Sequence, residues 1–209
     1  IFALGWLRVR DTLTHLRRHR DLFRFLVALT LYYSGIYAVI VLAAVYAQKV
    51  MHFTVMDTLL LILVVNLTAA IGAFAFGWFQ DRIGSQRTLV FTLVLWIVAV
   101  FTAWASDTRA VFWLAANLVG IAMGSSQSAG RALVGVFTPK VRTAEFFGLW
   151  GVAGKLAAVI GPPVYGLTVY FTHGDHRLAL LGMTVFFIAG LLVLLTVDEA
   201  RGRRAARRS

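Results

Sequence analysis

Polar residues punctuate this chain at intervals too long for a water-soluble domain. Between them lie six apolar runs, near residues 23–47, 58–79, 88–105, 110–137, 146–171 and 178–197. Each is about 20 residues or longer, the length an α-helix needs to cross some 30 Å of hydrocarbon. The intervening polar stretches, 48–57, 80–87, 106–109, 138–145 and 172–177, are short. Short connections make consecutive helices antiparallel neighbours. The pattern predicts an all-α integral membrane bundle of six transmembrane helices over residues 21–198. Ahead of it, Phe2, Trp6, Val9, Leu13 and Leu16 recur at spacings of four and three, with Arg8, Arg10, Arg17 and Arg18 off that face. Residues 1–20 therefore read as an amphipathic connector helix lying under the bundle or in the membrane interface. Residues 199–209 read as a basic tail.

Composition agrees with lipid as the solvent. The 209 residues are 60% hydrophobic and 14% charged, with a mean hydropathy of +0.80. Soluble domains carry about a quarter charged residues. The absence of cysteine excludes disulfides, thiolate metal sites and cysteine nucleophiles. A net charge of +11 would fit nucleic acid, but its placement does not. Sixteen of the twenty Lys and Arg fall at one end of the predicted spans: Arg8, Arg10, Arg17, Arg18, Arg20, Arg24, Arg82, Arg87, Arg131, Lys140, Arg142 and five in the tail. Only Lys49, Arg109 and Arg177 fall at the other end, and Lys155 lies within a span. That asymmetry is positive-inside bias, and it predicts both termini in the cytoplasm. Neither nucleic acid nor a cofactor or metal is expected as a partner; lipid is.

The connection after the second span reads Gly77-Trp-Phe-Gln-Asp81-Arg82-Ile-Gly84-Ser-Gln-Arg87. Gly77 is expected to let a neighbouring helix approach closely, and Asp81 to accept hydrogen bonds at a helix N-terminus. Gly84 is expected to make a tight turn. Arg82 and Arg87 are expected to meet headgroups or acids. The segment resembles the G-x-x-x-D-R-x-G-R-[RK] loop of major facilitator superfamily transporters, with Ser85 and Gln86 departing from its basic pair. Further on come Gln127-Ser-Ala-Gly130-Arg131-Ala-Leu, Pro139, Ala144-Glu145-Phe146-Phe147-Gly148-Leu-Trp150, Gly154-Lys155 and Gly161-Pro162. This series resembles the C-terminal half of the vacuole-effluxer, autophagy-related-transporter-like branch. Gly130 stands where that branch usually has serine, Trp150 where tyrosine is common, and Ser34 where many relatives carry an acid. The resemblance implies one half of a twelve-helix fold, an efflux-type transporter of small organic solutes in a bacterial cytoplasmic membrane, and a fifth helix that lines the central cavity.

Polar groups within the spans are the candidate substrate contacts. Lys155 falls about ten residues, roughly 15 Å, into the fifth span, where an ammonium costs on the order of 2.5–3.5 kcal/mol. No acid lies at matching depth. Lys155 is therefore expected to face a cavity, meeting an anionic substrate group or an acid from another bundle. Ser34, Tyr37, Asn66 and Gln127 fall at similar depth and complete the expected cavity set, although a helix–helix hydrogen bond explains Asn66 equally well. Arg131 lies one turn from Gln127 and is expected, with Glu145, to serve a gate or headgroups. Gly161 and Pro162 interrupt the fifth span's hydrogen-bond ladder and are expected to bend it.

These features predict half of a secondary transporter working by alternating access on an amino acid or other carboxylate. Ile1 in place of an initiating methionine leads us to expect the partner half in the same polypeptide, with a second copy as the alternative. An intramembrane enzyme would need a nucleophile, acid–base pair or metal cluster within the spans. The histidines supply none: His15 and His19 lie on the basic connector, and His173 and His176 in a loop beside Asp175. A channel would need rings of charge or filter carbonyls, which are not evident.

Overall fold

The computed structural model of the chain describes residues 20–139 and 142–208. The expected amphipathic helix over 1–20 lies outside these residues, apart from Arg20. Among the described residues the secondary structure is entirely helical: α1 (Arg20–Lys49), α2 (Val55–Ile83), α3 (Ser85–Trp104), α4 (Arg109–Phe137), α5 (Thr143–Phe171), α6 (His176–Gly182), α7 (Thr184–Leu195) and α8 (Glu199–Arg208). Six spans are long and apolar enough to cross a membrane, the sixth formed by α6 and α7 together. The sixth span is interrupted at Met183, whose N–H bonds to the Leu180 carbonyl at 3.1 Å.

Helix starts follow local chemistry. Thr54 and Asp57 form a reciprocal capping box that opens α2. Thr108 caps α4, and the Asp175 carboxylate accepts the N–H groups of Arg177 and Leu178 to open α6. Of the three cations expected at this end, two are paired. Arg109 donates to the His52 carbonyl at 2.7 Å and lies 3.5 Å from Asp57, while Arg177 binds Asp107 at 2.9 Å and the Ser106 carbonyl. The loops are thereby tied to the helices that follow them.

Packing divides the spans into two equivalent triplets. α1 packs chiefly against α5 and α7, and α4 chiefly against α2 and α3. α1 thus corresponds to α4, α2 to α5, and α3 to α6–α7, an inverted repeat of three helices each. Glycine makes the matching close crossings. Gly124 on α4 rests against the Ala69 backbone of α2, and Gly161 on α5 against the Ser34 backbone of α1. A side chain at either point would occupy the space of the opposing main chain. In lipid, where burial of apolar groups between helices is not driven by water, such contact supplies the packing energy. The two triplets meet through α3 and α7, where Trp96 stacks on Phe187 with ring centroids 5.1 Å apart. Trp96 also donates its indole N–H to Ser126 of α4 at 3.3 Å, and Tyr46 of α1 donates its hydroxyl to the Ala103 carbonyl of α3.

The tail is a docked helix rather than a loose basic extension. Asp21, buried at the start of α1, accepts from Nε and an Nη of Arg201 at 2.6 Å each, and from the Asp198 N–H at 3.0 Å. That carboxylate pushes the Arg201 guanidinium pKa further up. Gly202 seats against Phe137 of α4. Glu199 accepts the Gln86 N–H at 3.0 Å, and the Gln86 amide donates to the Val197 carbonyl at 2.6 Å. Arg24 donates to the Thr196 carbonyl at 3.0 Å. The beginnings of α1 and α3, the end of α7 and α8 are thus joined at the basic end of the bundle.

The Asp-Arg-x-Gly segment differs from expectation in two respects. α2 runs on to Ile83, so only Gly84 separates it from α3. Gly84 makes the turn at φ +91°, as expected. Asp81 sits in the last turn of α2, exposed, with no hydrogen bond or ion pair among the described residues. The carboxylate at the α3 N-terminus is Glu199 instead. Gly77 faces open space, so it does not mediate a close crossing within this bundle. Arg82 lies over the Trp78 ring, 3.8 Å from its centroid.

Candidate functional site

α2 and α5 are each packed on one side only, and much of their remaining surface is exposed apolar side chain. On the face where α2 meets α4, an open trough of about 780 Å³ is lined by Asn66, Ala69 and Ala73 of α2 and by Met123, Gly124, Gln127, Ser128, Arg131 and Ala132 of α4. Small residues at 69, 73 and 124 leave the space; the amides and Arg131 supply the polarity. Asn66 and Met123 also border a second cavity of about 200 Å³ enclosed by α1, α2 and α4 toward the opposite end. That cavity is apolar, with Val39, Ile40, Val65, Phe112 and Val119 among its walls and the buried Tyr46 and Tyr165 at its margin. Tyr165 and Nδ1 of His176 are 3.2 Å apart. A polar, cationic trough and an apolar recess therefore share Asn66 and Met123 in their walls.

Aromatic side chains flank the cationic mouth. The Arg131 guanidinium lies 5.6 Å from the Trp150 ring centroid of α5. Tyr33 meets Tyr32 and Tyr37 edge to face, with centroids 5.0 and 5.9 Å apart. Two polar atoms here are buried without a hydrogen-bond partner among the described residues, the Tyr32 hydroxyl and the Trp150 indole nitrogen. The Tyr32 hydroxyl lies where a side chain at Gly130 would begin, 2.9 Å from the position of its β-carbon.

The structure brings together some of the expected cavity residues and separates others. Asn66 and Gln127 share the trough. Asn66 donates to the Ile62 carbonyl of its own helix at 2.8 Å, which leaves its carbonyl oxygen available. Tyr37 is half-buried beside Tyr33. Ser34 is buried at the α1–α5 crossing, its hydroxyl bonded to the Thr30 carbonyl at 2.8 Å. Lys155 is exposed in a different groove on α5, among Gly148, Gly151, Val152, Leu156 and Val159. No ion pair engages it among the described residues. Arg131, expected at a gate or headgroup, lines the trough itself. Glu145 lies 4.0 Å from Arg142 at the start of α5, both exposed. Arg87 opens on a basic cleft shared with Arg24, Arg201, Arg203 and Arg204. α5 continues as one helix through Gly161, Pro162 and Pro163.

Residues 1–207 match the family described as vacuole effluxer Atg22 like. YxiO, an uncharacterized MFS-type transporter of Bacillus subtilis, is 27% identical over 192 residues, covering 92% of this chain and 44% of YxiO. Autophagy-related protein 22 of Saccharomyces cerevisiae is 22% identical over 216 residues, covering 98% of this chain and 40% of that protein. The Candida glabrata protein of the same name is 22% identical over 214 residues, 97% of this chain and 39% of that protein. The chain thus spans less than half the length of the curated relatives it matches.

Proposed function

The chain belongs to the vacuole effluxer Atg22-like family, and from this premise we propose that it forms one six-helix half of a secondary transporter. The proposed cargo is a small organic solute, an amino acid or another carboxylate, moved by alternating access between two bundles. The observation that carries this reading is the trough beside the apolar recess: Asn66, Gln127 and Arg131 give a polar wall on a face that is otherwise apolar and open. An open trough in one bundle becomes a closed site only when a second bundle covers it. The length of the relatives fits a partner bundle in the same polypeptide, and a second copy would serve the same geometry. We take this bundle as the C-terminal half, on the match of residues 127–162 to second-half motifs.

The charge asymmetry supports placing the basic end, with both chain termini, in the cytoplasm; the membrane proposed is a bacterial cytoplasmic one. Asp81, without a side-chain partner among the described residues and next to the Gly84 turn, is assigned to contact between bundles during cycling. Lys155 projects from α5 outside the trough and is assigned to an acid, or to a substrate group, presented by the opposing bundle. The test is uptake into liposomes holding the full-length transporter, this bundle joined to its partner half, across a panel of amino acids and carboxylates. Saturable, counterflow-competent flux is expected. Lys155→Ala should lower transport, and Asp81→Asn should slow cycling with little change in binding. Ohmic, unsaturated flux would replace the transporter reading with a channel, and normal transport by Lys155→Ala would remove that residue's assignment.

A further inference from the structure

We propose that Arg131 anchors an anionic group of the solute, a carboxylate or its equivalent, in the trough. This rests on the transporter reading above but concerns one subsite, which is testable by binding alone. Arg131 is the one charged side chain among the residues lining the trough, and no carboxylate lines it. Among the described residues no acid pairs with it; Glu145, at the start of α5, faces Arg142. Arg131 lies six residues before the end of α4 at Phe137, about 9 Å along the helix axis. A guanidinium at that depth in a span requires a counter-charge or water.

Trp150 lies beside the guanidinium in a cation–π contact, 5.6 Å from centre to centroid. The guanidinium itself carries paired N–H donors in one plane, the arrangement that suits a two-oxygen anion. Gln127, one helical turn away on the same wall, has no hydrogen-bond partner among the described residues and offers a further N–H donor. Lys155 is not a co-ligand, since it opens on a separate groove. An anionic head held at Arg131 would leave the rest of a small solute pointing along the trough toward the recess beyond Asn66.

The test uses the full chain, isotope-labelled at its six tryptophan indoles, in phosphatidylcholine nanodiscs. Sodium acetate is titrated at constant ionic strength, with acetamide as the uncharged isostere. The Trp150 indole N–H, which lacks a partner, is the reporter, identified by its loss in Trp150→Phe. Its resonance should shift saturably with acetate and not with acetamide. Arg131→Gln should raise the half-saturating acetate at least tenfold. Arg131→Lys, which keeps the charge but not the fork, should raise it about threefold. Arg207→Gln, on the exposed side of α8, should leave it unchanged. Equal responses to acetate and acetamide, or an Arg131→Gln titration like that of the wild type, would overturn the proposal. The other five indole resonances report whether each variant folds. Should Arg131→Gln unfold, Arg131→Lys decides, and an unchanged half-saturation there refutes the fork. Acetate binding without solute flux in liposomes holding this bundle joined to its partner half would spare this site and remove the transporter reading; flux there without an acetate response would do the reverse.

Discussion

Replacing Gly124 by alanine tests the inverted-repeat packing most directly. A β-carbon there would fall 2.6 Å from the Ala69 carbonyl carbon and 3.0 Å from its Cα. Unbonded carbons sit about 3.5–4.0 Å apart, so α2 would have to retreat by roughly 1 Å. Overpacking of this kind costs about 1–3 kcal/mol. Alanine also gains about 1 kcal/mol over glycine within a helix, which would mask part of the loss. Gly135 on the same helix supplies the correction, because a β-carbon there meets nothing within 4 Å. The quantity to compare is therefore the difference between Gly124→Ala and Gly135→Ala, from which the propensity gain cancels. It should be about 1–3 kcal/mol in favour of Gly135→Ala, read from detergent-titrated unfolding in mixed micelles. Gly161→Ala should show the same deficit, since its β-carbon would fall 2.8 Å from the Ser34 carbonyl carbon. Gly124→Ala and Gly135→Ala within about 0.5 kcal/mol of each other would refute the argument, because the close crossing would then carry no packing energy.

Three further outcomes follow from the same geometry. Asp21→Asn should free α8, with backbone amides of residues 199–208 exchanging roughly tenfold faster while the spans are unaffected; unchanged exchange would mean that the Asp21–Arg201 pair does not hold the tail. Gly130→Ser should be more stable than Gly130→Ala by about 1 kcal/mol in thermal melts, because only serine offers the buried Tyr32 hydroxyl a partner; equal melts would show that the hydroxyl is already satisfied. Gln86→Leu should lower the melting point relative to Arg87→Leu, since Gln86 bonds the Val197 carbonyl whereas Arg87 is exposed.

The spans were legible because hydrocarbon demands long apolar runs, and each of the six runs falls on a helix or helix pair. Depth along a helix was legible only coarsely: Asn66 and Gln127 line one trough, yet Gly120 and Gly124 register α4 on α2 so that the two amides sit more than a helical turn apart. What the sequence could not show was the direction each side chain faces around its helix. Ser34 and Lys155 lie at cavity depth, yet one is turned into a helix crossing and the other onto a separate groove. Trp150 was visible only as a departure from the family pattern; its contact with Arg131 joins α4 and α5 across α1. The docking of α8 was hidden for a different reason. Its composition is that of a solvated basic tail, and its partners Asp21 and Gln86 lie 180 and 113 residues from Arg201 and Glu199. The Asp81 expectation failed because nothing local signals that α2 continues to Ile83, which carries Asp81 away from the α3 N-terminus.

The clasp at the basic end has a mechanical consequence. The starts of α1 and α8 are held together by Asp21 and Arg201. A pull on either helix is shared at once among α1, α3, α7 and α8 through the bonds of Arg24, Gln86 and Glu199. A load applied at that corner therefore meets four helices at once rather than one.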